Sequence, residues 1–229
     1  MNLRSSIFNE KLPVQEQLIF CLLLTLIGGY YDAYTFVNCE GIFANAQTGN
    51  MIFIGLSIVN KEYHHVIHYL LPILSFFIGV IVCKFFEYKN SEISISRYLQ
   101  LLFITQISTL LLIYFKYIFL GFDIRPLAIS FICGIQFAGF RKINNLAFAS
   151  VFCTGNLRSA GEHLFKYIIL KQKNSLYAFW IYTSVILVFI GGVVLGAFVS
   201  KYFLHQAILL PILLLFVEII FIKTLNTKP

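Results

Sequence analysis

The tripeptide Thr-Gly-Asn occurs twice in this chain and is its clearest candidate for binding chemistry. Thr48-Gly49-Asn50 recurs 106 positions later as Thr154-Gly155-Asn156, each time beside apolar sequence. Glycine permits a break in a helix, and threonine or asparagine can hydrogen-bond the freed backbone or a bound solute. A helix that restarts after such a break directs its N-terminal dipole at it, which favours an anionic or carboxylate-bearing ligand. The tripeptides therefore predict a binding site for a small solute.

Two further amides, Asn45 and Gln47, extend the polar segment around the first tripeptide. Hydrocarbon cannot satisfy such groups, so an irregular polar turn at membrane depth must be covered by protein or must line a water-filled cavity. The alternative interpretation is a helix-capping and packing motif that binds no ligand.

Asp32 is the next candidate, because it lies towards the end of the first apolar run among Tyr30, Tyr31 and Tyr34. A carboxylate inside a membrane is a functional hypothesis by default. It could carry a proton, bind a cation or pair with an arginine such as Arg141. An aspartate in an interfacial belt of tyrosines is the alternative.

The second half of the chain has fewer polar side chains at the matching positions. A shift of 106 residues places Ala138 opposite Asp32 and Cys153 opposite Gln47, although Gln136 supplies an amide at nearly the same level. A shared site would therefore be lined mostly by the first half. Its predicted residues are Asp32, Asn45, Gln47, Thr48, Gly49, Asn50, Gln136, Thr154, Gly155 and Asn156.

Three other features carry weaker signals. Arg158 and Glu162 are spaced for a surface ion pair on one helix face, with His163 as a candidate gate or proton relay. Glu218 stands alone in the last apolar segment, where pairing near the interface with Lys223 and a buried relay remain open. The spacing of Gly192, Gly196 and Ser200 predicts a ridge for close helix packing.

Motifs for enzymatic, metal or cofactor chemistry are missing from the sequence. There is no Walker loop, HExxH or GxSxG pattern, so we expect neither an enzyme nor a bound cofactor. His64, His65 and His68 lack further ligands at useful spacing, and the five cysteines form no CxxC pair. We therefore predict no metal site.

The composition requires a bilayer. The chain is 59% apolar and only 12% charged, with a mean hydropathy of +0.83, whereas a soluble domain is about half apolar and a quarter charged. Its apolar runs suit helices of about 20 residues rather than barrel strands. The net charge of +7 comes mainly from residues between apolar segments, which indicates topology signals rather than nucleic-acid binding.

We therefore predict an all-α polytopic membrane protein with a single domain over residues 1–229. A first repeat is expected over 17–120 and a second over 126–223, because Gly28 and Gly55 also recur as Gly134 and Gly161 in the register of the tripeptides. The predicted elements are 17–38, 42–59, 66–86, 98–120, 126–140, 145–157, 176–203 and 206–223.

The distribution of basic residues distinguishes between two possible membrane topologies. If all eight elements cross the membrane, 11 of the 17 basic residues lie inside. If the two tripeptide elements enter and return, 13 lie inside, which the positive-inside rule favours. About six full spans and two broken or re-entrant elements then form inverted repeats, while four crossings per half would form parallel repeats.

The sequence also resembles a known family. Gly29-Tyr-Tyr-Asp32-Ala33, Phe43 to Asn50, Gly134-Ile-Gln136 and Thr154-Gly155 resemble, in order and distance, the YoaK family of uncharacterised bacterial multi-pass membrane proteins. Phe137 departs from the resemblance, since asparagine is expected after Gln136. The resemblance implies a bacterial inner membrane and no assigned biochemical role.

These observations predict a secondary transporter or permease for a small solute, with Asp32 as a coupling group and the lipid bilayer as its surroundings. A non-transporting scaffold or partner-binding protein is the alternative. The oligomeric state and the solute stay open.

Overall fold

The computed structural model describes residues 12–89, 95–119, 121–148 and 153–226, which fold almost entirely as helices. Two short antiparallel hairpins pair β1 (Ile118–Phe119) with β2 (Phe122–Asp123), and β3 (Lys142–Ile143) with β4 (Leu146–Ala147). Turns of 3₁₀ helix cover Val14–Glu16 and Leu204–Ile208. The α-helices are α1 (Leu18–Asn38), α2 (Gln47–Val59), α3 (Tyr63–Lys89), α4 (Ile95–Phe115), α5 (Arg125–Gly139), α6 (Cys153–Ile168), α7 (Lys173–Phe203) and α8 (Leu209–Asn226).

The prediction of an all-α protein is confirmed, and most predicted elements match a helix within a few residues. The largest difference concerns the predicted element 145–157. Its first part contains β4, residues 149–152 lie outside the described residues, and α6 begins at Cys153 and continues to Ile168. The predicted element ended where the apolar residues end. Helix α6 continues into the polar residues that follow, because one face of this helix is exposed and accepts polar side chains.

Among the residues that the structure describes, four helical segments are long and apolar enough to cross a membrane: Leu18–Asn38, Tyr63–Lys89, Arg97–Phe115 and Lys173–Thr224. The last segment comprises α7 and α8, joined by the 3₁₀ turn at 204–208. The prediction of about six full spans is therefore not confirmed. Length and apolar composition nevertheless support a helical membrane protein.

Helix α1 lies in the centre of the structure. Tyr30, Tyr31 and Tyr34 are fully buried, so these tyrosines belong to the core and do not form an interfacial belt. The hydroxyls of Tyr30 and Tyr34 donate hydrogen bonds to the carbonyl oxygens of Ala207 (2.6 Å) and His205 (3.3 Å). Helix α1 thereby holds the turn between α7 and α8 in place.

Two close helix crossings use glycines to bring backbones together. Where α1 crosses α7, a Cβ atom on Gly29 would overlap the carbonyl oxygen of Phe189, and one on Gly192 would overlap that of Leu26. Gly196 continues this contact, since its Cβ would lie 2.7 Å from the carbonyl oxygen of Tyr30. The predicted ridge on α7 therefore packs against α1.

The crossing of α3 with α5 is built in the same way. A Cβ on Gly79 would overlap the carbonyl oxygen of Phe131, and one on Gly134 would overlap that of Phe76. Backbone atoms cannot swing aside as a flexible side chain can. Each of these glycines is therefore required by close approach, and the helices would separate if side chains replaced them.

Gly192→Ala tests this contact, with Gly191→Ala as a control on the same helix. We expect Gly192→Ala to destabilise the protein by about 1–3 kcal/mol or more, the usual cost of overpacking. A Cβ on Gly191 meets no heavy atom within 4 Å, so that variant should keep or slightly raise the stability. Thermal unfolding of detergent-purified protein measures both, and equal melting temperatures would contradict the crossing.

Candidate functional site

The loop before α2 is held closed by the side chain of Asn50. Its Nδ2 donates to the carbonyl oxygen of Phe43 (2.7 Å) and to Oε1 of Gln47 (2.8 Å), and its Oδ1 accepts from the N–H of Phe43 (3.0 Å). Nε2 of Gln47 donates to the carbonyl oxygen of Ala44 at 2.7 Å. Both side chains are buried, and their hydrogen-bonding groups are used within the loop.

Asp32 fixes the same loop to α1. Its Oδ1 accepts hydrogen bonds from the backbone N–H groups of Asn45 (2.7 Å) and Ala46 (3.3 Å). The side chain of Asn45 donates in turn to the carbonyl oxygen of Gly28 at 2.7 Å. Asp32 thus binds backbone amides, whereas the suggested partner Arg141 is exposed and no ion pair joins the two in the described residues.

The tripeptides lie in the first turns of α2 and α6, so each helix begins before its glycine rather than after it. The two glycines differ in their surroundings. A Cβ on Gly49 would lie 2.7 Å from the ring of Phe43, whereas one on Gly155 meets nothing within 4 Å. Neither glycine serves a helix crossing.

A cavity of about 430 Å³ opens between α1, α2, α6 and α7. It brings together three predicted site residues: Asp32, Thr48 and Thr154. Both threonines are exposed, and apolar side chains form most of the remaining wall. The lining residues are Asp32, Ala33, Phe36, Val37, Phe43, Ala46, Thr48, Cys153, Thr154, Phe189, Val193 and Ala197.

The other predicted residues do not line this cavity. Asn45, Gln47 and Asn50 hold the loop, and Gly49 packs against Phe43. Gln136 lies in the core, where its Nε2 donates to the carbonyl oxygen of Leu24 at 2.9 Å. Asn156 is buried and Gly155 is exposed, and neither contributes to the wall.

Cavity-lining positions were not predicted from the sequence for Cys153 or for the aromatic residues Phe36, Phe43 and Phe189. Cys153 stands directly before the second tripeptide, and this position was the available signal. The rings had no such signal, because phenylalanine is frequent throughout the chain, with 25 copies. Only their packing around Asp32 distinguishes them.

Cys153 and Asp32 also interact electrostatically. Burial raises the pKa of the Cys153 thiol to about 11, and the negative charge of Asp32 adds to this increase. At neutral pH the thiol is therefore protonated and reacts slowly. Cys21, Cys39, Cys83 and Cys133 are buried more deeply, which leaves Cys153 as the most accessible thiol.

The remaining polar features lie apart from the cavity. Arg158 and Glu162 form the predicted exposed ion pair at 2.8 Å, and the hydrogen bond from Arg158 lowers the pKa of Glu162. His163 stacks on Tyr182, with ring centroids 5.7 Å apart. No group of residues suited to a metal ion occurs in the parts of the chain that the structure describes.

Comparisons with known proteins identify one family. A family model described as "Protein of unknown function (DUF1275)" matches residues 20–221. No curated protein and no solved structure matches the chain. The match agrees with the expectation of an uncharacterised family, and it does not name the YoaK proteins.

Asn50→Asp tests the role of the first tripeptide in the loop. The substitution removes the donor to Phe43 and Gln47, leaving two buried acceptors that cost about 1–3 kcal/mol each. We expect a lower melting temperature. Thr48→Val is the neighbouring control, because its exposed hydroxyl carries no such bond, and equal melting temperatures for the two variants would refute the assignment.

Labelling of Cys153 tests the pairing across the cavity. Because its thiol is mainly protonated, maleimide labelling should accelerate about tenfold per pH unit between roughly pH 7 and 9. Asp32→Asn removes the nearby negative charge and should speed labelling at fixed pH. The rate is read by mass spectrometry, and Glu162→Gln, which lies on the exposed face of α6, should not change it. A rate indifferent to Asp32 would contradict this arrangement.

Proposed function

Because the chain belongs to the DUF1275 family of unknown function, we propose its function from the cavity: a transporter or permease that binds a small solute between α1, α2, α6 and α7. The observation that carries this proposal is that Thr48 and Thr154, from tripeptides 106 positions apart, line one cavity together with Asp32. Solute sites of transporters typically form where helix termini from two halves of the chain converge.

The dimensions and walls of the cavity suit this role. Its volume of about 430 Å³ falls within the roughly 300–1,000 Å³ typical of small-molecule sites. Such sites are mostly apolar, with a few polar groups that orient the ligand. Here the polar groups are the carboxyl of Asp32 and the hydroxyls of Thr48 and Thr154.

The two halves of the cavity belong, in this proposal, to two repeats. The two helix crossings support this division because they are built in the same way. Gly29 lies against the carbonyl of Phe189, and Gly192 lies against that of Leu26. In the other crossing, Gly134 lies against the carbonyl of Phe76, and Gly79 lies against that of Phe131. In both crossings the first helix of one half thus packs against the third helix of the other. This shared pattern supports the proposal that the two halves are repeats.

Turn geometry supports the same division. Left-handed backbone follows the first helix of each half, at Glu40 and Gly41 and again at Asn144 and Asn145. It also follows each tripeptide helix, at Lys61 and at Lys171. We place these repeats in a bacterial inner membrane in inverted orientation, with parallel repeats as the alternative that the charge distribution leaves open.

Asp32 is proposed as the group that takes up a proton or a cation during transport. Burial penalises its charged form, while the N–H groups of Asn45 and Ala46 stabilise that form. These opposing influences make its charge responsive to what occupies the cavity. A cationic solute or ion would favour the carboxylate, and an apolar one would favour the acid.

A non-transporting scaffold remains the second candidate function, and one observation favours it. The amides of Asn45, Gln47 and Asn50 bond the backbone or one another, so the polar segment has a structural use without any ligand. The threonines separate the two candidates. Their exposed hydroxyls line the cavity, and no other structural use is found for them in the described residues.

Uptake or counterflow in proteoliposomes, measured across a panel of solutes, tests transport. For a transported solute, we expect Asp32→Asn and Thr48→Val to reduce uptake by about tenfold or more, since each removes a contact to the solute. Glu162→Gln, on the exposed face of α6, should not reduce it. If no solute is transported, or if both cavity variants transport normally, the proposed site is wrong.

A further inference from the structure

Glu218 is a buried carboxyl group that the cavity does not use. It lies on α8 between Leu215 and Ile222, which are both buried on the same helix face. The Glu218 side chain is 0% exposed, and neither Oε1 nor Oε2 has a hydrogen-bond partner in the described residues. In the described residues it forms no ion pair with Lys223, whose side chain is exposed.

Within the described part of the chain, no charge compensates this carboxyl. None of the ion pairs among the described residues includes Glu218. Helix α8 packs against α1, α4 and the two 3₁₀ turns, and a negative charge on Glu218 would disfavour ionisation of the Cys21 thiol on α1. The other titratable or charged groups on these elements are Glu16, Tyr30, Tyr31, Asp32, Tyr34, Arg97, Tyr98, Tyr114 and His205.

Those groups are engaged elsewhere or offer no positive charge. Tyr98 lies 3.4 Å from the sulfur of Cys83, and the ring of His205 stacks on Tyr117. Arg97 is exposed at the start of α4. An ionised carboxylate buried without a counter-ion or a donor costs far more free energy than a neutral acid.

The chemistry of the carboxyl group decides which of its two forms fits this site. An ionised glutamate needs hydrogen-bond donors or a positive charge, whereas a carboxylic acid is neutral. Because neither Oε1 nor Oε2 of Glu218 has a donor among the described residues, the site fits the acid form.

We propose that Glu218 is a proton-binding site, separate from the cavity, which holds its proton while α8 packs against α1 and α4. Release requires water or a donor to reach the carboxylate, and the present packing excludes both. Helix α1 links this site to the cavity, because Cys21 and Asp32 lie on it about 16 Å apart along the helix axis.

Infrared spectroscopy of the full-length protein in lipid nanodiscs tests the bound proton. In an Asp32→Asn background, which removes the other carboxyl buried among the described residues, we expect a carbonyl band of a protonated acid at pH 7.5. The band should persist when Glu162→Gln is added and vanish when Glu218→Gln is added. A missing band in the background, or a band that survives Glu218→Gln, overturns the proposal.

The pH dependence of stability provides a second readout in case Asp32→Asn fails to fold. Above about pH 4.3 an unfolded glutamate has lost its proton while the folded one keeps it, so stability falls as pH rises. In the wild type, the equilibrium constant for unfolding should therefore increase with pH more steeply than in Glu218→Gln. The difference between the two proteins should be up to a factor of ten for each pH unit. Glu162→Gln should keep the wild-type slope, and identical slopes for wild type and Glu218→Gln would overturn the proposal.

Discussion

The backbone contact between glycine-bearing helices is the constraint on which the rest of the structure depends. Gly29 and Gly192 let α1 and α7 approach until a single added Cβ would overlap a carbonyl oxygen. The wall of the cavity continues directly along these helices through Ala33 and Val193. If the helices were held apart by side chains, Asp32 would lose both its burial and its position beside α6.

The sequence predicts where the helices lie in the chain, but it does not predict which helices pack against each other. Long apolar runs in the sequence locate α1, α3, α4, α7 and α8, because a helix that crosses a membrane needs a continuous apolar run. A fixed shift of 106 residues pairs Asp32 with Ala138, yet the crossing glycines Gly29 and Gly134 are 105 positions apart and would pair Asp32 with Phe137. In the proposed repeats, loops of different length prevent one shift from aligning every element, and only tertiary contacts reveal the change.

The same limit applies to the candidate site. Residue type indicated that the segment around Asn50 is polar, and in the structure its side chains hydrogen-bond within the loop. Residue type could not tell that the asparagine serves the backbone while the adjacent Thr48 faces the cavity. Which way a side chain points depends on the first turn of α2, and a shift of one residue on a helix rotates it by about 100°.

The proposed site depends on the first turns of α2 and α6 facing each other across one cavity. Cross-linking measures this most directly, using Thr48→Cys together with the native Cys153 and bismaleimides of increasing length. Short reagents should join the two cysteines within one chain, and mass spectrometry would identify the linked peptides. If both cysteines reacted singly with maleimide while no reagent linked them, the two first turns would not face each other.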